Sequence, residues 1–251
     1  MLNYGLDMSE LDSWFIVDAL VAEGEELDAL VSARDDWTRA TPATGWTIAH
    51  QIAHLAAADA DVVTAIRTPD AFDPVPTDSD VVAAAGAAKP RAALLEEWRA
   101  GRAEVASALY DIEPDRAFPW IGAEVTAQLM APLRLMETWA HGQDIYDALG
   151  TKHPPTARLQ LVAYLGVAGL GLSFHAAGLP FPEEQISVEL TGPEGELWSW
   201  GPDPYETDQR IQGSAEDFCL LVTRRRRRAE TRLTAVGEDA DTWLGVARVF
   251  L

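Results

Sequence analysis

A change of hydrophobic period at Pro154 and Pro155 divides this 251-residue chain. Before that point apolar residues recur at helical spacing; after it the pattern shortens to runs broken by glycine and proline turns. The spacing predicts a first helix from a cap at Ser9 or Asp12 to about Ser32. A second, capped by Thr44 or Thr47, runs to about Arg67. Residues 68–88 read as a long surface loop with room for one helical turn. Pro90 opens a third helix over 90–111, and a fourth spans about 125–149, ended by Gly150. Pro132 kinks that helix or marks a break near its start. Four amphipathic helices in 150 residues make a bundle.

Beyond the prolines, a fifth helix is expected from Pro155 or Thr156 to about Ala177. Strands follow at Ile186–Leu190 and Glu196–Trp200, around the turn 192–195, with Arg210–Gln212 extending the sheet. A helix at 214–225, a strand at 232–236 and a last helix at 240–250 complete the expectation. The fold class is therefore α+β: a four-helix bundle over residues 1–152 and a small α+β domain over residues 153–251.

Composition excludes several function classes. Forty acids against 19 bases give a net charge of −21, a field that repels nucleic acid and anionic membranes. Arg224 to Arg228, five arginines in a row, stand against that balance. A single cysteine, Cys219, excludes a disulfide framework and cysteine-cluster metal sites, and its apolar neighbours predict a buried, inert thiol. The opening MLNYGLDMSELDSWF has no basic n-region, and no run of about 18 apolar residues occurs anywhere. A soluble cytoplasmic protein without membrane or nucleic-acid partners is expected. No phosphate loop, dinucleotide fingerprint or nucleophile elbow is present.

Two polar stripes interrupt this plain bundle. His50 and His54 lie four apart on the second helix, and Glu137 and His141 four apart on the fourth. At 100° per residue each pair shares a face. The fourth-helix stripe also takes in Arg134 and Asp144. Polar groups beside the apolar side of a bundle helix are costly unless paired or ligated. Two imidazoles and a carboxylate from facing helices suit zinc or another divalent first-row metal, with positions left open. The competing reading is a solvated face, or a histidine satisfied by a carboxylate. His153 and His175 read as structural; Trp46, Trp98, Trp139 and Trp243 read as core; Trp120, Trp198 and Trp200 read as core or cleft residues.

WTIAHQIAHLA on the second helix and RLMETWAHGQDIYDALG on the fourth resemble the DinB-like metalloprotein superfamily. The likeness is to the actinobacterial branch that includes mycothiol-dependent maleylpyruvate isomerase. ELTGPEGELWSWGP, GSAEDFCLLVTRRRR and TWLGVARVF resemble the second domain of the same group, so the likeness spans nearly the whole chain. It is nearest to a subgroup described only as metal-binding.

The resemblance implies that His54, Glu137 and His141 hold a divalent metal, zinc first, and that mycothiol serves as a thiol cosubstrate. His50 is extra to the pattern: a fourth ligand, a substrate-side base or a polar neighbour. Asp144 either hydrogen-bonds a ligand imidazole or caps a loop. The second domain would contribute an arginine to an anionic substrate, best matched by Arg224, with Arg225 the alternative; otherwise the run is a solvated helix end. The implied activity is thiol-dependent isomerisation or S-transfer on a small electrophile. The alternatives are a non-catalytic metal- or small-molecule-binding protein, and a thiol-independent metalloenzyme of specialised metabolism. Oligomeric state is left open.

Overall fold

The computed structural model describes residues 13–75 and 77–249. The fold is α+β, with two compact units, one ending at His153 and the other beginning at Pro154. Both expected caps of the first helix, Ser9 and Asp12, lie outside the described residues.

In the first unit, four long helices form the bundle: α1 (Ser13–Ser32), α2 (Ile48–Arg67), α4 (Arg91–Asp111) and α5 (Ala127–Leu149), with a shorter α3 (Ser79–Ala87) between the second and third of them. α2 packs on α4 and α5, and α1 packs on the same two, so α2 and α1 stand diagonally opposite. Ile48, Ile52 and Leu55 of α2 meet Leu94 and Trp98 of α4 and Ile145 of α5 in a closed apolar core. Fully burying a side chain of this size is worth about 1.5–3 kcal/mol, so these contacts fix how α2 faces its neighbours.

Local chemistry sets the ends. Thr126 Oγ1 accepts from Leu129 N at 3.4 Å to cap α5, and Gly150 ends it in the left-handed conformation at φ 64°. The helix runs unbroken through Pro132.

Two stretches differ from expectation. Within residues 68–88, Ser79–Ala87 is helical, capped by Asp78, whose Oδ1 accepts from Asp80 N. Alanine carries high helix propensity, and Gly86 lets this helix approach α2: a Cβ there would lie 2.6 Å from that of Ala53. The second stretch, before α5, is a hairpin. β1 (Ala117–Trp120) pairs antiparallel with β2 (Ala123–Thr126) through a turn in which Gly122 has φ 75°. α5 therefore starts two residues later than its apolar pattern suggests.

The second unit holds α6 (Leu159–Ala168), α7 (Leu170–Ala176), α8 (Ala215–Val222) and α9 (Glu238–Val246). Its sheet consists of β3 (Ser187–Thr191), β4 (Leu197–Trp200), β5 (Arg210–Ser214) and β6 (Thr234–Val236). The strand order is β4-β3-β5-β6, with β3 and β5 parallel and both outer pairs antiparallel.

The single fifth helix expected over 155–177 is two, bent by 49°. At the break, a Cβ on Gly169 would sit 3.0 Å from the Arg248 carbonyl, and Ser173 Oγ both donates to that carbonyl and accepts from Arg248 N. The chain near Arg248 thus occupies the bend. By length and composition α6 and α7 together pass a membrane-span test, yet most of α6 is buried core. Among the described residues no single helix is long and apolar enough to cross a membrane.

Candidate metal centre

The facing stripes of α2 and α5 meet. His54, Glu137 and His141 each present one ligand atom, and the three atoms lie within 4.8 Å of one another. Glu137 Oε2 is 3.3 Å from His141 Nε2 and 3.6 Å from His54 Nε2. All three residues are half-buried. The Nε2 atoms therefore converge on one carboxylate oxygen at a wall of the bundle, from helices that the apolar core holds in register.

The tautomer of His141 follows from its other nitrogen. Gln51, fully buried one turn before Leu55, donates through Nε2 to Thr41 Oγ1 at 2.9 Å and to Asp144 Oδ2 at 3.4 Å. That orientation leaves Gln51 Oε1 to accept from His141 Nδ1 at 2.5 Å. With Nδ1 carrying a proton, the Nε2 lone pair of a neutral ring points at a carboxylate oxygen. The geometry calls for a cation between them: a proton, or a divalent metal. A carbonyl-type acceptor on the far nitrogen of a ligating imidazole is the usual outer support of such a site. The donor set thus fits a divalent first-row metal held by three protein atoms.

Burial pushes the Glu137 carboxyl up, but hydrogen bonds from His141 and His54 and the charge of Arg134 outweigh it, and the group sits well below the usual carboxylate range. It is ionised at neutral pH, as a ligand must be.

His50 stands apart from the convergent set. Its Nδ1 lies 2.8 Å from Thr47 Oγ1 and accepts from Thr47 N at 3.3 Å, reciprocating the cap of α2. His50 is therefore no fourth ligand in this arrangement, and its Nε2 remains a donor. Asp144 acts on the site through Gln51. Arg134, on the same stripe, turns to Asp59 of α2, with both Nε (3.2 Å) and Nη2 (2.9 Å) on Oδ1.

Trp46 is not the core residue its apolar flank suggests. It is half-buried, with its ring stacked on His141 (5.9 Å between centroids, 19° between planes) and 5.3 Å from His54. Its Nε1 donates to Asp80 Oδ1 of α3 at 2.7 Å. The missed helix therefore holds an aromatic wall of the site. Gln51 carries no sequence signal beyond adjacency to His50, and Trp46 none beyond lying four residues before it, since both roles depend on tertiary contact.

The remaining residues fall as follows. Trp98, Trp139 and Trp243 are buried as expected, and Trp198 and Trp200 are buried in the second unit; Trp120 stacks on Phe72. His153 is structural, buried between Trp139 and Tyr146 with Nε2 3.3 Å from Glu23. His175 lies in the exposed last turn of α7. Cys219 is fully buried, and burial pushes its thiol well up, so it is no nucleophile at neutral pH.

In the second unit, Arg224 follows the C-cap Thr223 of α8. Its N bonds the Leu221 carbonyl and Arg225 N bonds that of Leu220. This is the helix-ending motif that normally places glycine at the left-handed position. Arg224 takes that position with φ 61°, the one non-glycine residue with positive φ among those described, and its side chain is exposed. Arg225 and Arg226 donate to the carbonyls of Thr223 and Arg225, the ordinary helix-end role.

Comparison with known proteins supplies the family and the fold. The family model described as the mycothiol maleylpyruvate isomerase N-terminal domain matches residues 20–146. Uncharacterised proteins from two strains of Mycobacterium tuberculosis are each 44% identical over 247 residues, spanning 94% of this chain and 95% of theirs. Among solved structures, mycothiol-dependent maleylpyruvate isomerase and a histidine-to-alanine variant of it superpose with a TM-score of 0.65 at 16% identity. Each match covers 94% of this chain and 95% of the isomerase.

Proposed function

This chain belongs to the mycothiol maleylpyruvate isomerase N-terminal domain family, and on that premise we propose that it is a metal-dependent enzyme using a low-molecular-weight thiol such as mycothiol. The reaction is isomerisation or S-transfer on a small electrophilic, carboxylate-bearing substrate. The observation that carries the reading is the convergence of His54 Nε2 and His141 Nε2 on Glu137 Oε2. His54, Glu137 and His141 would hold the metal, zinc first. When bound, such an ion supplies a Lewis acid that keeps a small-molecule thiol as thiolate near neutral pH.

The chain's own residues supply the rest. Gln51 holds the His141 ring and its tautomer, and Trp46 offers an aromatic wall against which a substrate can lie. His50, with its Nδ1 engaged by Thr47, keeps Nε2 as the proton-handling atom on the same helix face as His54. The buried Cys219 leaves the nucleophilic sulfur to the cosubstrate. Sulfur added to an activated double bond, followed by rotation and elimination, isomerises the substrate; addition alone gives the S-conjugate. Arg224 is assigned to the substrate carboxylate. Its support is a bulky cation kept where the backbone favours glycine, and backbone strain of that kind gathers at functional positions.

Two measurements test the reading. Purified protein with one equivalent of zinc is assayed with mycothiol against maleylpyruvate and a panel of conjugated unsaturated acids. Thiol-dependent consumption of a substrate, lost in His54→Ala, is the expected outcome. Turnover without thiol, or no turnover with any electrophile, contradicts it. Arg224→Gly leaves stability unchanged or raised by up to ~1 kcal/mol, because glycine adopts positive φ freely. The same change raises KM for the carboxylate substrate about tenfold or more, as expected for a lost charged hydrogen bond. An unchanged KM removes Arg224 from the site.

A further inference from the structure

Between α1 and α4, the adjacent pair of helices that carries no member of the metal triad, the bundle holds a half-open cavity of about 570 Å³. That size is typical of small-molecule sites. Leu20 and Val21 of α1 and Ala103, Val105 and Ala106 of α4 give it apolar walls, and Asp59 and Thr138 line its interior.

Asp59 is the informative residue. It is only 5% exposed, and both hydrogen bonds it receives, from Arg134 Nε and Nη2, fall on Oδ1. Oδ2 carries no hydrogen bond to any described residue, although the side chain borders the cavity. Oδ2 is therefore left to take its donor from the half-open cavity, from water or from a ligand. Such an acceptor at the floor of an apolar chamber specifies a ligand with one hydrogen-bond donor and an apolar body.

The surrounding charges decide the ligand's own charge. Of the lining groups, Arg99 and Arg102 are held by Asp28, Asp111 by Arg67, and Tyr110 donates to Asp18; Glu25 stands at the wall. With Asp59 and Arg134 these make five acids, Asp18, Glu25, Asp28, Asp59 and Asp111, against four arginines, Arg67, Arg99, Arg102 and Arg134.

 Neither sign dominates. An anion would face the acids, and a cation would face Arg102 and Arg134 on its way to Asp59.

We propose that this cavity binds a small uncharged molecule with an apolar body and a hydroxyl or amide donor that pairs with Asp59, at a site separate from the metal triad. The assignment is independent of the thiol reaction, because no side chain that lines the cavity is a member of the triad.

The test uses the full-length protein and 2-naphthol as probe, followed by calorimetry and by amide chemical-shift mapping. The expected result is one binding site, with shifts at Leu20, Val21, Ala103 and Ala106, the same with and without zinc. Naphthalene, which lacks the donor, binds about tenfold or more weakly, the usual cost of losing a hydrogen bond to a charged group. 2-Naphthoate and 1-naphthylmethylammonium are likewise weaker than 2-naphthol. Ala103→Trp fills the cavity from an exposed position on α4 and removes binding while metal content stays unchanged. Full-strength binding to Ala103→Trp, shifts centred on the triad, or no binding of 2-naphthol overturns the proposal. Equal affinity for naphthalene overturns the role of Asp59, and tighter binding of either ion overturns the uncharged class.

Discussion

Two acid–base clusters bridge α2 and α5, and they differ in how well they satisfy themselves. Asp59 and Arg134 are almost wholly buried, and their shortest contact is 2.9 Å, a proper charge-assisted hydrogen bond. His54, Glu137 and His141 are half-buried, with contacts of 3.6 and 3.3 Å, longer than those of the closed pair. One cluster is closed by its own counter-charge. The other brings lone pairs together around a gap suited to an ion. A pair that neutralises its own charge ties the helices together whatever its second oxygen binds, whereas a set without a counter-cation is suited to take one from outside.

That contrast can be broken from either end. The largest effect belongs to the closed pair. Arg134→Met leaves Asp59 as an uncompensated buried charge, and urea unfolding is expected to show a loss of about 3–5 kcal/mol. A loss below about 1 kcal/mol would mean that the pair is not the helix clamp described here.

The open cluster responds in affinity more than in stability. Gln51→Leu removes the acceptor on His141 Nδ1, so zinc affinity in a competitive chelator titration falls about 10–100-fold. His141 itself is still present in that variant. An unchanged affinity would show that the ring is oriented by something other than Gln51.

The smallest effect is the pH dependence of the metal-free protein. Burial raises the Glu137 pKa, but hydrogen bonds from both imidazoles bring it well below its ordinary value of 4.5. A carboxyl lowered in the folded state stabilises above its unfolded pKa, and that contribution is lost as the pH falls through the folded value. Glu137→Gln is therefore expected to flatten stability against pH below about 4.5 and to change its slope little above, as read from urea midpoints. A steeper acid loss in the variant would reverse the sign assigned to Glu137.

How far the sequence carried this contrast follows from its physics. The stripes His50/His54 and Glu137/His141 were legible because helical periodicity alone puts residues four apart on one face. Glycine at position 150 and proline at position 90 marked helix ends for equally local reasons. Asp59–Arg134 was not legible, because its members lie 75 residues apart and either alone looks like an ordinary surface charge. Gln51 was hidden by being an uncharged residue between two histidines, and Trp46 by resembling core. The helix Ser79–Ala87 was masked by the prolines and aspartates before it, and the 117–126 hairpin by a proline within its first strand. The arginine run was visible at once, yet the left-handed backbone at Arg224, which sets it apart from its neighbours, appears only in three dimensions.

The most direct test of the central claim is the metal content of tag-free protein by inductively coupled plasma mass spectrometry, after dialysis against zinc and then against metal-free buffer. The expected result is one equivalent of zinc per chain in the wild type and none in His141→Ala, with both proteins folded by circular dichroism. Wild-type protein that retains no metal, or a His141→Ala variant that keeps a full equivalent, would contradict it.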